Sequence, residues 1–394
     1  MSTLYDFQVN FLQTFNDFLS SLFRLLLSKF IYTNMFRKIK GMKLKKYFEL
    51  KNISTFHIGG KAKYFIECYN LQALIKIVKI CTAHQLYYKI IGGASNLLFD
   101  DKGFAGVVIK YCNDSCIVNN DTITASAGVE MSNLIAVAKQ NDLSGLENFA
   151  GIPCQLGGAI VNNLGANNVE ISSLLTSVTT IKPIVKNAVK NKKRKKTSFE
   201  LSKNCKIIFC NNKKINKTNL NKNNLSNTNI NQKLNNYKIK NKLKINNIKI
   251  NKNTINIGKN SFSYRKNSFL CNNEIITSAK IKLIKLNKNI IQNNLTNNYQ
   301  KKHNSQPLNC YSAGSIFKRG ENFLPAKLID DMKIKGTKIG GAEISTKHAG
   351  FIVNTDNAKC QDVLNLINFI KQKAKKIYNL NFEEEVEYVP YNKN

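Results

Sequence analysis

From about Tyr47 onward, apolar and polar positions alternate between two rhythms. "AKYFIECY" and "GFAGVVIKY" are short β-branched and aromatic runs that predict strands, while "LQALIKIVKICTAHQL" places Leu74, Ile77, Val78 and Cys81 at helical spacing. "YYKIIGGASNLLFDD" reads as a strand running into a glycine-rich turn, and "DTITASAGV" as a further strand closing at Gly128. "EMSNLIAVAKQND" predicts a helix and "EIITSAKIKLIKL" a strand. Near the end, "CQDVLNLINFIKQKAKKIYNL" carries Val363, Leu366, Ile367, Ile370, Ala374 and Ile377 on one face of a helix that leads into a last strand, "FEEEVEYVP". Strands and helices thus mix through the chain, and no internal repeat is visible.

Two stretches break this texture. The first forty residues, "FLQTFNDFLSSLFRLLLSKFIYTNMFRKIKG" among them, are apolar but interrupted by Asp17, Arg24 and Lys29. That is too broken for a spanning helix of about 20 apolar residues. An amphipathic surface helix, a targeting leader and an over-extended start before Met42 all fit, and the last is favoured. The second stretch, from about Lys186 to Lys259, is dominated by Lys, Asn and Ile. It carries much of the formal charge of +36, which would ordinarily suggest nucleic acid or an acidic membrane. It lacks interleaved aromatics and a Gly/Arg pattern, so it reads as a drifted insertion, and no nucleic-acid partner is expected.

The 394 residues allow two or three domains, and 43% apolar residues are enough for a core. Ten cysteines are scattered without a CxxC pair. Cys112/Cys116 and Cys205/Cys210 have loose spacing and no second half, so free thiols are expected and a metal is not.

Candidate chemistry lies in two small-residue tracts. Gly92, Gly93, Ala94, Ser95 and Asn96 follow a buried strand, where small residues let backbone N–H groups approach a pyrophosphate and Ser and Asn add donors. It is not a GxGxxG fingerprint, and an ordinary glycine turn is the alternative. "GLENFAGIPCQLGGAIVNNLGANN" supplies Gly151, Ile152, Pro153, Gly157, Gly158, Ala159 and Gly165, which would let main chain pack on a flat ligand or on another helix. Two such tracts in one region point to a dinucleotide with two surfaces to cover, and together they raise a flavin above an ordinary glycine turn or helix contact.

Seven ordered segments resemble the UDP-N-acetylenolpyruvoylglucosamine reductases: "STFHIGGKAKYF", "IIGGASNLLFDDKGFAGVVI", "GLENFAGIPCQLGGAIVNNLGA", "FSYRKNSF", "YSAGSIFKR", "KIGGAEISTKHAGFIVN" and "LNFEEEVEYV". The spacing between "FSYRKNSF" and "YSAGS" resembles the family's shorter type, without its extra tyrosine loop. The resemblance implies an α+β fold, an FAD-binding domain of the vanillyl-alcohol-oxidase (PCMH) type followed by a smaller α+β substrate-binding domain. On this basis residues 1–46 are an N-terminal extension, 47–290 the FAD-binding domain interrupted by the insertion at about 186–256, and 291–394 the substrate-binding domain. It also implies NADPH- and FAD-dependent reduction of UDP-N-acetylglucosamine enolpyruvate to UDP-N-acetylmuramate in peptidoglycan precursor synthesis, by a cytoplasmic monomer without stable membrane insertion. Alternatives are another flavin oxidoreductase of this fold, or a decayed enzyme acting as a basic nucleic-acid-binding protein.

Residue roles follow from the same resemblance. Ser315 of "SAGSIF" aligns with the proton donor, and Arg265 of "SYRKNSF" and Glu385 of "FEEEV" with the pair that orients and activates the enolpyruvyl group. Arg suits a carboxylate through its planar bidentate fork. Thr55, Ile58, Gly59 and Gly60 are expected to line the cofactor, and Tyr264 and Lys318 to touch substrate. Lys347 and His348 are weaker candidates, His348 reading as a structural hydrogen-bonding residue. Arg319, Asn167 and Ala326 stand where relatives carry Asn, Tyr and Gly, and none of these changes removes a catalytic group.

Overall fold

The apolar runs near the start build a sheet whose two central strands are largely buried, while its first strand stays mostly exposed. The computed structural model describes residues 32–186, 244–271 and 273–392. Cys205, Cys210, the first thirty-one residues and 187–243, most of the Lys/Asn/Ile-rich stretch, lie outside them. Strands β1 (Met42–Glu49), β2 (Lys61–Cys68), β3 (Tyr88–Ile91) and β5 (Phe104–Tyr111) form a sheet in the order β1-β2-β5-β3. β2 and β5 run parallel at its centre, and their apolar residues are buried nearly without alternation, as parallel strands covered on both sides require. Helix α1 (Leu71–Ala83) crosses between β2 and β3, capped by Asn70, whose Oδ1 accepts from the Ala73 N–H at 2.8 Å. β4 (Leu97–Phe99) follows the glycine turn. β1 starts at Met42, inside the 1–46 stretch expected to precede the domain, and pairs with β2 along its length.

The next part is a five-stranded sheet of order β12-β11-β15-β7-β6, built from β6 (Cys116–Asn119), β7 (Thr122–Ser126), β11 (Leu175–Val185), β12 (Ile248–Asn256) and β15 (Ile275–Lys282). Between β7 and β11 come α2 (Met131–Gln140), β8 (Leu143–Ser144), α3 (Leu156–Val161), β9 (Gly165–Ala166) and β10 (Val169–Glu170). β13 (Phe262–Ser263) and β14 (Lys266–Asn267) form a tight hairpin, and β16 (Ile284–Lys285) pairs with β8. The insertion expected to end near residue 256 therefore gives way earlier: β12 is a sheet strand, with Thr254 Oγ1 3.3 Å from Thr179 Oγ1.

Helix α4 (Lys288–Ser305) has no apolar stripe, and only Ile291 and Lys302 are buried. The domain boundary expected at 290/291 falls inside it, and it lies against the turn Glu147–Phe149. β17 (Tyr311–Ser315), β18 (Lys338–Ile339), β19 (Ala342–Ile344) and β20 (Phe351–Asn354) make an antiparallel sheet of order β17-β20-β19-β18, with α5 (Pro325–Asp331) between β17 and β18. Helix α6 (Cys360–Tyr378) buries Val363, Leu366, Ile367, Ile370 and Ala374 at helical spacing, in one core with Phe56, Ile58 and Leu98. The final strand is shorter than "FEEEVEYVP" suggests: β21 (Glu387–Val389) has three residues and runs parallel to β4, returning the chain to the glycine turn.

The described residues up to 184 and from 250 onward form one compact unit, and those between 185 and 249 form another. Every residue of the site lies in the first.

Candidate active site

A cavity of about 1050 Å³ opens in the first unit, lined by the two small-residue tracts and by the end of β17. Its size is at the upper end of ordinary small-molecule sites, about 300–1,000 Å³. Thr55, Gly92, Gly93, Ala94, Ser95, Asn96, Gly151, Ile152, Pro153, Gly157, Gly158 and Ala159 line it, together with Arg265, Ser315 and Glu385. Ile58, Gly59 and Gly60 do not. Ile58 is buried in the core with α6, a Cβ on Gly59 would press on Phe99, and one on Gly60 would strike the Asp101 carbonyl. Tyr264 and Lys318 also lie outside the lining: the Lys318 ammonium pairs with Glu383, and the Tyr264 hydroxyl accepts the Arg319 N–H at 3.0 Å. His348 accepts the Gly350 N–H through Nδ1 at 3.1 Å, in keeping with a structural role, and Lys347 Nζ donates to the His303 carbonyl.

The glycine tracts are shaped for a flat, extended ligand. Ala94 takes φ +52° at the centre of the first turn and Gly151 φ +76° in the second. A Cβ on Gly93 would stand 3.5 Å from the Pro153 carbonyl, so the two tracts face each other closely, whereas one on Gly158 would meet nothing within 4 Å. The Gln155 Oε1 atom is buried in the wall with no hydrogen-bond partner among the described residues. Open backbone, facing small residues and an acceptor without a donor fit FAD held by Gly92–Asn96 and Gly151–Ala159.

The catalytic candidates are brought together by main-chain ties. Ser315 ends β17 opposite Phe351, after an irregular register beginning at Ser312, and Gly314 takes φ +78°. The Glu385 N–H donates to the Ile316 carbonyl at 2.7 Å, and Glu384 bridges to Phe317, so the glutamate run lies along the residues that follow Ser315. Asn96 Nδ2 donates to the Glu385 carbonyl at 3.0 Å, and the Asn96 carbonyl accepts the Glu387 N–H at 2.9 Å. The Asn96 side chain, expected to reach a pyrophosphate, instead holds the main chain of Glu385. Thr55 is tied to β17 likewise: its hydroxyl donates to the Ser312 carbonyl at 2.7 Å and its carbonyl accepts the Ser312 N–H at 3.0 Å.

Arg265 sits at the tip of the β13–β14 hairpin with φ +55°, and Nε donates to Glu385 Oε1. Its Nη1 reaches the Asn163 carbonyl at 3.3 Å, and the Tyr264 ring lies 4.9 Å from the guanidinium. A Cβ on Gly165 would come within 2.9 Å of that Nη1, so this glycine leaves room for the arginine. Burial pushes the Glu385 carboxyl above its ordinary range, while Arg265 and, less strongly, Lys318 pull it back. Burial prevails.

Several participants carry no sequence signal. Asn163 is fully buried with φ +43°, its amide donating to Glu170 Oε2 at 2.8 Å and to the Ser263 carbonyl at 3.2 Å beside the arginine hairpin. Tyr299 of α4 lines the cavity against Gly151. Lys302, only 6% exposed, donates to the carbonyls of Asn148 and Ala150, the latter at 2.9 Å, just before Gly151. Asn163 and Gln155 stand inside the second small-residue tract, where neighbouring glycines were the only hint. Among the described residues no cluster of His, Cys, Asp or Glu could hold a metal, and no helix is long and apolar enough to cross a membrane.

Comparison with known proteins fits this architecture. Residues 62–183 match the FAD binding domain family. Residues 306–389 match the family described as the C-terminal domain of UDP-N-acetylenolpyruvoylglucosamine reductase. A UDP-N-acetylenolpyruvoylglucosamine reductase from Syntrophomonas wolfei is 30% identical over 361 residues, covering 91% of this chain and 99% of the relative. One from Clostridium novyi is 29% identical over 341 residues, covering 86% and 90%. The chain belongs to the UDP-N-acetylenolpyruvoylglucosamine reductase family. The crystal structure of the Thermus caldophilus enzyme of that name shares the fold, with a TM-score of 0.62 at 23% identity over 89% of this chain and all of that one.

Proposed function

We propose that this cavity reduces the enolpyruvyl group of UDP-N-acetylglucosamine enolpyruvate to give UDP-N-acetylmuramate, with NADPH as reductant. The observation that carries the reading is the Arg265–Glu385 ion pair, held by main chain beside Ser315 on the wall of a cavity with two facing glycine tracts. FAD, when bound, supplies hydride transfer to one carbon of the enolpyruvyl double bond. Negative charge then grows on the neighbouring carbon and its carboxylate, where a cation and a proton donor are needed. Arg265, a fixed charge whose tip is anchored on Asn163, orients that carboxylate. Ser315 delivers the proton to the carbon. Its hydroxyl is a weak acid, and the Arg265 guanidinium lining the same cavity favours the charge it is left with. Glu385 fixes Arg265 and polarises the enol ether from a carboxyl already raised by burial. The protein acts on this soluble nucleotide sugar as a monomer in the cytoplasm.

The test is anaerobic. Wild-type and Ser315→Ala proteins are reduced with NADPH and then mixed with UDP-N-acetylglucosamine enolpyruvate, following flavin absorbance. Equal bleaching by NADPH, with re-oxidation by substrate about 10²–10⁴-fold slower in Ser315→Ala, is the expected result. A flavin that NADPH bleaches and this substrate never restores would refute the substrate.

A further inference from the structure

Gln155 is 3% exposed and stands between the two glycine tracts, and the catalytic scheme gives it no task. Its position is fixed by main chain on both sides: the Met131 N–H donates to the Cys154 carbonyl at 2.8 Å, and the Leu156 N–H to the Val129 carbonyl at 2.9 Å. Its amide orientation is fixed as well. Nε2 donates to Glu130 Oε1 at 3.1 Å, and only the nitrogen end of an amide can donate to a carboxylate. The carbonyl end, Oε1, is therefore turned the other way. There it is buried, without a donor, and a Cβ on Gly92 would come within 3.2 Å of it. Glycine at 92 carries no side chain to press on Oε1.

A buried amide oxygen without a partner costs free energy that folding alone does not recover. The lining of the site supplies no donor to it, and the flavin nucleotide carries several: the ring N3–H and the ribityl hydroxyls. We propose that Gln155 Oε1 is an acceptor that takes a hydrogen bond from the flavin half of FAD, with Glu130 as the positioning residue that keeps the oxygen aimed at it. This rests on the reading of the cavity as a flavin site. It assigns the glutamine a binding role, and it makes the glycine at 92 a requirement of that contact.

The experiment measures Kd for FAD by fluorescence quenching on apoprotein, for wild type, the near-isosteric Gln155→Met, and Glu130→Ala, which frees the amide to turn over. FMN, 3-methyl-FAD and ribityl-deoxy FAD analogues serve as ligand-side probes. Loss of one buried hydrogen bond predicts about tenfold weaker FAD binding in Gln155→Met and a smaller loss in Glu130→Ala. The analogue missing the contacting donor binds wild type about tenfold more weakly than FAD and Gln155→Met no more weakly than FAD, the non-additivity that marks direct contact. A deficit for 3-methyl-FAD assigns the ring N–H, one for a deoxy analogue the ribityl chain, and FMN repeats the Gln155 dependence because its flavin half is the same. Wild-type affinity in Gln155→Met overturns the proposal while leaving the flavin site standing. Wild type that takes up no FAD overturns both. If Gln155→Met does not fold, Glu130→Ala and the analogues decide, and equal Kd values for all analogues on wild type overturn the proposal.

Discussion

Arg265 and Glu385 lie 120 residues apart in sequence and share an ion pair, Nε of one on Oε1 of the other, with both side chains largely buried. The arginine is supplied by a hairpin tip and the glutamate by the loop before β21, so the pair forms only when the last strand has docked on β4. A partly buried pair of this kind is costly to break on one side, since the remaining charge keeps its desolvation penalty. Removing the guanidinium also removes the main influence holding the Glu385 carboxyl down. Arg265→Met is expected to lower turnover at least 100-fold and to move the Glu385 limb of the pH–rate profile to higher pH. A carboxyl with a raised folded-state pKa loses stabilising effect as pH climbs through that value, so Arg265→Met should also lose more stability than wild type on passing from pH 5 to 8. Gly165→Ala offers a milder version. The new Cβ presses only on the end of the arginine side chain and shifts it from its anchor, so turnover falls while the melting temperature hardly changes. An unchanged pH profile in Arg265→Met would separate the two residues functionally.

Asn96 makes a second prediction, because its expected and observed partners differ. Its amide donates to the Glu385 carbonyl, and its own carbonyl receives the Glu387 N–H. Asn96→Ala should therefore cost turnover, about tenfold for one buried hydrogen bond at a positioned group, with Kd for FAD changed less than threefold. The reverse outcome, weak FAD binding with normal turnover once loaded, would return the side chain to the cofactor.

How much of this was legible depended on whether a residue's role left a local trace. α1, α2 and α6 bury regular apolar stripes and were readable as helices from spacing. α4 was not, because its sequence "KNIIQNNLTNNYQKKHNS" buries only Ile291 and Lys302 and is held by tertiary contacts that periodicity does not record. β12 was hidden for a similar reason: "IKINKNTIN" shares the composition of the tract before it, yet it pairs as an edge strand. At the site, Ser315, Arg265 and Glu385 were found through ordered motifs, and the cavity does gather them. Gln155, Asn163 and Lys302 act through buried polar contacts across 25 to 154 positions of sequence, and no spacing rule reports those.

The position of β12 changes what a deletion should do. Removing 187–243 joins residues close to a contact already in place, the Lys186 N–H donating to the Asn247 carbonyl at 2.8 Å, and is expected to leave turnover within twofold. Removing 186–256 takes away the edge strand as well, with the Thr179–Thr254 hydroxyl contact, and leaves β11 as an unpaired edge. That protein should melt several degrees lower and aggregate more readily. Identical melting curves for the two deletions would show that β12 contributes nothing to the sheet.

Lys302 tests whether the wall of the cavity is held from behind. It is buried on α4, donates to the carbonyls of Asn148 and Ala150, and sits near Cys154, whose own thiol burial pushes up to about 12. Burial lowers the Lys302 ammonium from 10.5 to about 8. Unfolded chains keep the proton up to the higher value, so between pH 8 and 10.5 the unfolded state binds more protons than the folded one, and folding stability rises with pH across that window. The full effect is at most about 3 kcal/mol. Below pH 8 both states are protonated and the slope vanishes. Wild type should thus gain stability relative to Lys302→Met between pH 7.5 and 9.5 in denaturant unfolding of the apoprotein. A methionine also leaves two buried carbonyls without their donor, next to the Gly151–Pro153 wall, so FAD should bind Lys302→Met several-fold more weakly even at pH 7. Parallel stability curves across this pH range would mean that the amine stays charged in the folded protein. Unchanged FAD affinity would mean that the wall keeps its shape without it.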